Sequence, residues 1–352
     1  MKKIFFIILS ILIIGSVFSG VVTAEEQYVM KFSLGDVADP FKAFHPAYCA
    51  TLKAEVERLS GGRLKVEIYP NAQLGDNRSS CEQVRKGTIE STGGDIGVLA
   101  SLYFEKLGVI QIPFAFSSKE VARRLFDINN PFTRKLVEEC VEKTGIRILS
   151  LVPYGFRHLT NNVRPVHSPN DMVGLKIRTM EVVPHMKLME SLGATPTPIP
   201  FLELYTSLQT GVVDGQENPL SHVIAQKFYQ VQKYLTLTSH ICGITANLVN
   251  EKWFQSLPDD LKSALIVGDR VAQATLNGFS SLLDSTSLET IKSLGMEVYA
   301  PTPEEMAMFK EKAVPYVKKW MEEELGTDFV AEYLAAIEAV ENEIKAEVES
   351  LK

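Results

Sequence analysis

Segments with an apolar residue at every second position alternate with helix-length amphipathic segments along residues 28–152, and that order leaves few folds open. Tyr28–Leu34 (YVMKFSL) alternates as a strand, and Ala43–Leu59 carries helical apolar spacing until Ser60-Gly61-Gly62 ends it. Leu64–Tyr69 (LKVEIY) alternates again, a helix is predicted from about Arg78 to Arg85, and Asp95–Leu99 (DIGVL) reads as a short buried strand. Strand, helix, strand, helix, strand is the order of an α/β domain with a parallel sheet. Pro131–Lys143 with its Gly145 stop then leads into the apolar strand Ile146–Val152.

A second α/β block follows. Gly174–Arg178 is predicted as a strand, Pro184–Leu192 as a helix stopped by Gly193, and Phe201–Gln209 as a helix stopped by Gly211. The last third is helical. Ser256-Leu-Pro-Asp259 reads as a capping box, and helical spacing runs from there to about Ser293 with Gly268 and Gly278 inside it. Such a helix reaches roughly 50 Å at 1.5 Å per residue, enough to brace two domains. Thr302-Pro-Glu-Glu305 caps the next helix, and a last one runs from about Asp328. The fold class is α/β, with two lobes and a cleft between them.

The first residues, MKKIFFIILSILIIGSVFSGVVTA, put two lysines before an apolar run and small residues before Glu25. That is the layout of a secretory signal peptide, residues 1–24, cleaved after Ala24. A retained membrane anchor is the alternative, and the Ser and Gly residues within the run weigh against it. Losing Lys2 and Lys3 takes the net charge from −7 to −9. An acidic chain without a basic cluster is a poor partner for nucleic acid or anionic membranes. Cys49, Cys81, Cys140 and Cys242 stand apart from one another, so they read as small buried hydrophobes rather than a zinc site. His45 and Cys49 share a helical face, which alone does not make a metal site.

Signatures of catalysis are missing. The chain has no H-E-x-x-H, no G-x-S-x-G, no P-loop and no dinucleotide fingerprint after a strand. Gly93-Gly94-Asp95-Ile96-Gly97 is glycine-rich but precedes its predicted strand, so it reads as a loop with tight turns. No cofactor, metal or catalytic residue is expected.

The segment Asp214–Pro219 (DGQENP) packs two acids, two amides, a Gly and a Pro between apolar flanks. A plain surface turn, a metal site and a ligand-binding loop could each use these residues. Calcium loops spread their oxygens over a longer stretch than Asp214 and Glu217 cover. Asn218, before Pro219, is biased to an extended conformation with its amide free to reach outward. Arg178 ends the strand GLKIR, and open α/β sheets bind ligands at carboxyl ends. A guanidinium there can grip a carboxylate through two parallel hydrogen bonds, and a structural ion pair is the competing reading. Arg157 raises the same question, and Phe201 could be core or a cleft wall.

The stretches GLKIRT, LGATPTPIPFLELYTSLQTGVVDGQENPL and AQKFYQVQKYL together resemble the solute-binding subunits of TRAP transporters, the DctP family. The segment SGGRLKVEIYPNAQLGDN and the long helix after LPDDL fit the same pattern, so the resemblance covers nearly the whole mature chain. It implies a periplasmic protein whose two lobes close on a small organic acid, a sugar acid or a hydroxy- or dicarboxylate. That ligand would pass to the membrane subunits of a sodium-coupled permease. Lobe I would hold residues 25–153 with about 244–284, and lobe II residues 154–243 with about 285–352. Position by position, Arg178 resembles the family's carboxylate-gripping arginine, Asn218 its cleft amide and Phe201 its aromatic wall. Arg157 matches a second arginine of sialic-acid-binding members. Asn77 stands where those members place an acid, and Glu181 where they have Asn. A carboxylate at Glu181 argues against a second negative group on the ligand and suits hydroxyls or an amine. An exported enzyme acting on such an acid, and a ligand sensor coupled to a membrane receptor, are the rival functions.

Overall fold

The computed structural model describes residues 26–351; the leader 1–24 and its cleavage lie outside the described residues. Nine strands form one sheet: β1 Tyr28–Leu34, β2 Leu64–Tyr69, β3 Ser91–Asp95, β4 Ile146–Asn161, β5 Lys176–Thr179, β6 Thr195–Pro198, β7 Gly215–Asn218, β8 Tyr234–Asn250 and β9 Glu297–Tyr299. Their order is β2-β1-β3-β8-β4-β7-β5-β6, with β9 beside β8. The sheet is mixed rather than parallel, because β3 pairs antiparallel with β8, and β4 pairs antiparallel with both β7 and β8.

Two long strands serve both halves of the molecule. β3 lies on Thr245–Val249 of β8, whereas β7 lies on His158–Asn161 of β4 and β9 on Tyr234–Thr236 of β8. Where β4 and β8 pass between the halves, their register shifts at Pro153/Gly155 and again at Arg157/Leu159. Such irregularities bend strands and re-aim side chains.

Local sequence explains most elements. Helix Asn77–Lys86 is capped by Asp76, which accepts from Ser79 N, and Pro131–Thr144 by Asn130. The Thr302/Glu305 capping box opens helix Pro303–Leu325. Other expectations are corrected. Asp95–Leu99 is not a strand: β3 ends at Asp95, whose carboxylate accepts from Gly97 N and starts helix Ile96–Leu102. The glycines ahead of it are therefore sheet residues, and a Cβ on Gly94 would lie 3.2 Å from Asn77 Oδ1. Ser256 closes helix Glu251–Ser256 instead of capping the long helix, which begins at Asp259 without a side-chain cap. Asp259 and Asp260 in its first turn complement the helix dipole. Phe201–Glu203 is a 3₁₀ turn leading into helix Leu204–Gln209.

The core has three parts. Met30, Phe32, Leu52, Val56, Leu64 and Val66 pack against Leu261, Leu265 and Leu276 of the long helix. Leu204, Leu208, Val223, Phe228 and Leu235 gather around Ile291 near its far end. The largest part includes Ile148 and Leu248, whose chain neighbours Leu149 and Val249 belong to the first, so the two occupy opposite faces of the sheet. Helix Asp259–Ser293, 35 residues, touches helix Phe44–Leu59, β4 and helix Leu220–Ala225, and so braces both halves. All four cysteines are buried and free. Among the described residues no helix is long and apolar enough to cross a membrane.

Candidate functional site

Strands of both halves aim their carboxyl ends at one cavity of about 260 Å³. Asp36 follows β1, Asp95 ends β3, Glu181 follows β5, Phe201 follows β6 and Asn218 ends β7, and all five line it. Backbone groups at strand ends have left the ladder, and their side chains project beyond the layered core, which is why open α/β sheets place ligands there.

Arg178 lines the cavity with 1% of its surface exposed. Its Nε donates to Ile199 O at 2.8 Å, its guanidinium carbon stands 5.9 Å from the centre of the Phe201 ring, and Nη1 has no partner among the described residues. Burial lowers its pKa to about 10, partly offset by the charge of Glu217, so it stays protonated at neutral pH. A buried cation with a free donor on a cavity wall is a site for an anion.

Arg157 is held differently. Its Nε donates to Glu217 Oε2 at 2.5 Å, Nη2 donates to Glu217 Oε1 and O at 2.9 and 2.6 Å, and Nη1 donates to Tyr154 OH at 2.9 Å. Tyr154 in turn donates to Asp95 Oδ2 at 2.7 Å. Burial disfavours both charges of the pair, yet their attraction wins: the Arg157 pKa is raised, and the Glu217 carboxyl is held well below its ordinary range. His185 Nδ1 and His240 Nε2 complete the surroundings of Glu217 at 3.3 and 3.1 Å. The guanidinium of Arg157 thus reaches the cavity already neutralised.

The DGQENP motif is corrected here. Gly215–Asn218 is not a turn but the fully buried strand β7, ended by Pro219. Asn218 is extended, as the following proline requires, and its Nδ2 donates to Gln216 Oε1 at 2.5 Å. Gln216 donates onward to Thr160 Oγ1 at 2.8 Å. One face of the motif fixes the strand, and Glu217 on the other fixes Arg157.

Across the cavity, Asp36 Oδ2 meets His45 Nδ1 at 2.7 Å and His222 Nε2 at 3.6 Å. His45 Nε2 lies in hydrogen-bond contact with Thr245 Oγ1 at 2.8 Å. Burial opposes the charge of Asp36, but the two imidazoles outweigh it and hold the carboxyl well below its usual range. Asp36, His45 and His222 offer metal-ligating atoms within 4.8 Å of one another, a grouping distant in sequence. The hydrogen bonds already in place engage the carboxylate without an ion. Asn77 and the half-buried Glu181 also line the cavity. The structure therefore brings Arg178, Asn218, Arg157, Phe201, Glu181 and Asn77 to one wall-lined space.

The family model of the bacterial extracellular solute-binding proteins, family 7 (DctP), matches residues 34–324. The chain belongs to this family. A solute-binding protein of Verminephrobacter eiseniae is 35% identical over 276 residues, 78% of this chain and 80% of that protein. The sialic acid-binding periplasmic protein SiaP of Vibrio cholerae is 30% identical over 283 residues, 80% of this chain and 85% of its own. The crystal structure of a sugar acid binding protein from Advenella mimigardefordensis, in complex with galactonate, superposes with a TM-score of 0.84 at 30% identity, covering 90% of this chain and 99% of that one. DctP-family members are periplasmic TRAP solute-binding proteins with two lobes, and the fold described above is theirs.

Several site residues escaped the sequence reading. Asp36 follows β1 by two positions, so the same strand-end argument that picked Arg178 would have found it. His45 was noted only for its face shared with Cys49, and Tyr154 and His222 carry no such signal, because they lie on β4 beyond its apolar run and on the short helix Leu220–Ala225.

Proposed function

We propose that this chain captures a small organic acid between its lobes, with the ligand's carboxylate on Arg178, and delivers it to a sodium-coupled TRAP permease. The observation that carries this reading is the buried Arg178 guanidinium, which lacks a carboxylate partner among the described residues and leaves Nη1 unsatisfied. Relatives that bind sialic acid and galactonate support a carboxylate as the common element. Phe201 forms an apolar wall beside it, Asn218 and Asn77 offer amides, and Arg157, neutralised by Glu217, orients the wall and contributes little net charge. We place the lobe borders near residues 153–154 and 243–244, a reading supported by the register shift of β4 against β8 at Pro153/Gly155. The leader exports the chain to the periplasm, and the cleft binds without converting its ligand.

A thermal-shift screen over an organic-acid library tests the reading. A ligand at about 100 times its Kd adds roughly 2.7 kcal/mol to stability, a plain rise in Tm. A subset of carboxylic acids should produce it, and their neutral amides should not. A library in which amides and acids act alike would contradict a carboxylate site.

A further inference from the structure

Two residues that line the cavity each present a buried polar atom without a partner among the described residues: Arg178 through Nη1 and His222 through Nδ1. The first is a donor and asks for an acceptor. The second takes its character from the other ring nitrogen. His222 Nε2 faces the Asp36 carboxylate at 3.6 Å, and a proton there is attracted to the anion, whereas a lone pair would be repelled. Burial keeps the His222 imidazole below its ordinary pKa, with Asp36 opposing, so the ring is neutral and carries one proton. That proton sits on Nε2, and Nδ1 is left as an acceptor.

The ring has little freedom to turn. It packs edge-on against Phe44, Phe201 and Tyr154, with centroids 5.1, 5.4 and 6.0 Å away. Asp36 is itself fixed by His45 at 2.7 Å and approached by Gln226 at 3.4 Å. Phe201 touches both Arg178 and His222, so the two residues that carry the unsatisfied atoms flank one aromatic wall.

We propose that His222, oriented by Asp36, forms a second pole of the cavity that binds a hydrogen-bond donor on the ligand, a hydroxyl or an ammonium group, across Phe201 from the carboxylate. The proposal rests on the reading of Arg178 as the carboxylate's partner. A second carboxylate at that end would bring only lone pairs to His222 Nδ1 and negative charge to Asp36. The ligand is therefore a monocarboxylate with a donor-bearing tail, and dicarboxylates of equal length are rejected.

Calorimetry on the mature chain tests this with acids matched in length. For chains of four to six carbons, the set holds the unsubstituted acid, its ω-hydroxy and ω-amino forms and the dicarboxylic acid, with gluconate and glucarate added. At the length that binds best, the hydroxy or amino acid should bind at least tenfold tighter than the unsubstituted and dicarboxylic members. Which of the two prevails distinguishes a hydroxyl from an ammonium tail. His222→Phe keeps the ring packing and should erase that preference while binding of the unsubstituted acid persists, and His222→Gln, which can still accept, should retain part of it. A dicarboxylic acid that binds as tightly in the wild-type chain would overturn the second pole and leave the carboxylate site standing. So would a preference that survives His222→Phe. Failure of every acid to bind would overturn both.

Discussion

Taking a guanidinium out of water while leaving a donor unsatisfied is unfavourable, and in the proposed reading an anion relieves that cost at Arg178. Removing the charged partner of a desolvated ligand carboxylate costs about 2–5 kcal/mol. Each 1.4 kcal/mol is tenfold, so Arg178→Ala should weaken binding by roughly thirty- to several-thousand-fold. Arg178→Lys should recover only part, since an ammonium cannot make the paired hydrogen bonds, and titration calorimetry reads both variants. Arg157 predicts the opposite pattern. Glu217→Gln leaves its buried charge without a counter-ion, which costs about 3–5 kcal/mol of stability, visible as a lowered urea midpoint. The contrast marks what a sequence can disclose. Arg178 stands at a strand end on the side opposite its apolar neighbours, and that pattern is visible in six residues. The pairing of Arg157 with Glu217 spans sixty residues and follows from the alignment of β4 with β7, which no local pattern encodes.

At the scale of elements, the long helix makes a sharp test of packing against propensity. Alanine is favoured over glycine in a helix interior by about 1 kcal/mol. Gly278 is exposed with nothing within 4 Å of a Cβ, so Gly278→Ala should stabilise by about 0.5–1 kcal/mol. A Cβ on Gly268 would stand 2.6 Å from Val56 Cγ2 and 3.2 Å from Val56 N, where two helices cross closely. Gly268→Ala should therefore destabilise by about 1–3 kcal/mol despite its better propensity, and paired thermal melts distinguish the two. Helices with clear periodicity were legible: Pro131–Thr144 lies within a residue of expectation, Asp259–Ser293 ends where its periodicity did although its expected cap was wrong, and Pro303–Leu325 opens at the expected Thr302 capping box. Short central strands were not. Ser91–Asp95 and Gly215–Asn218 hold polar residues and glycines because tertiary partners, not apolar alternation, satisfy them. A polar strand with its charges paired across the sheet looks, in sequence, like a turn.

For the molecule as a whole, buried histidines set the response to acid. Burial lowers the pKa of His222 and His240 and takes His158 to about 3. As pH falls through the unfolded value near 6.5, the unfolded chain takes up protons that the folded chain refuses, so stability falls. Asp269, whose pKa burial raises, works the other way, losing its contribution as pH rises, but it is one group against three. Below about pH 4.5 the depressed carboxyls of Asp36 and Glu217 act in the same sense as the histidines. The urea midpoint should therefore be lower at pH 5 than at pH 7, and an unchanged or higher value would contradict this accounting. The two-lobed plan was legible from the strand and helix order, while the mixed sheet was not, because the crossing of β4 and β8 between halves depends on pairing far apart in sequence. The central claim is that the lobes hold one organic acid, unaltered, through Arg178. Native mass spectrometry of the mature chain incubated with a mixture of organic acids tests it most directly. One adduct per chain, with the mass of an unmodified acid and absent from Arg178→Ala, is the result expected. An acid released with altered mass, or the same adduct on Arg178→Ala, would contradict it.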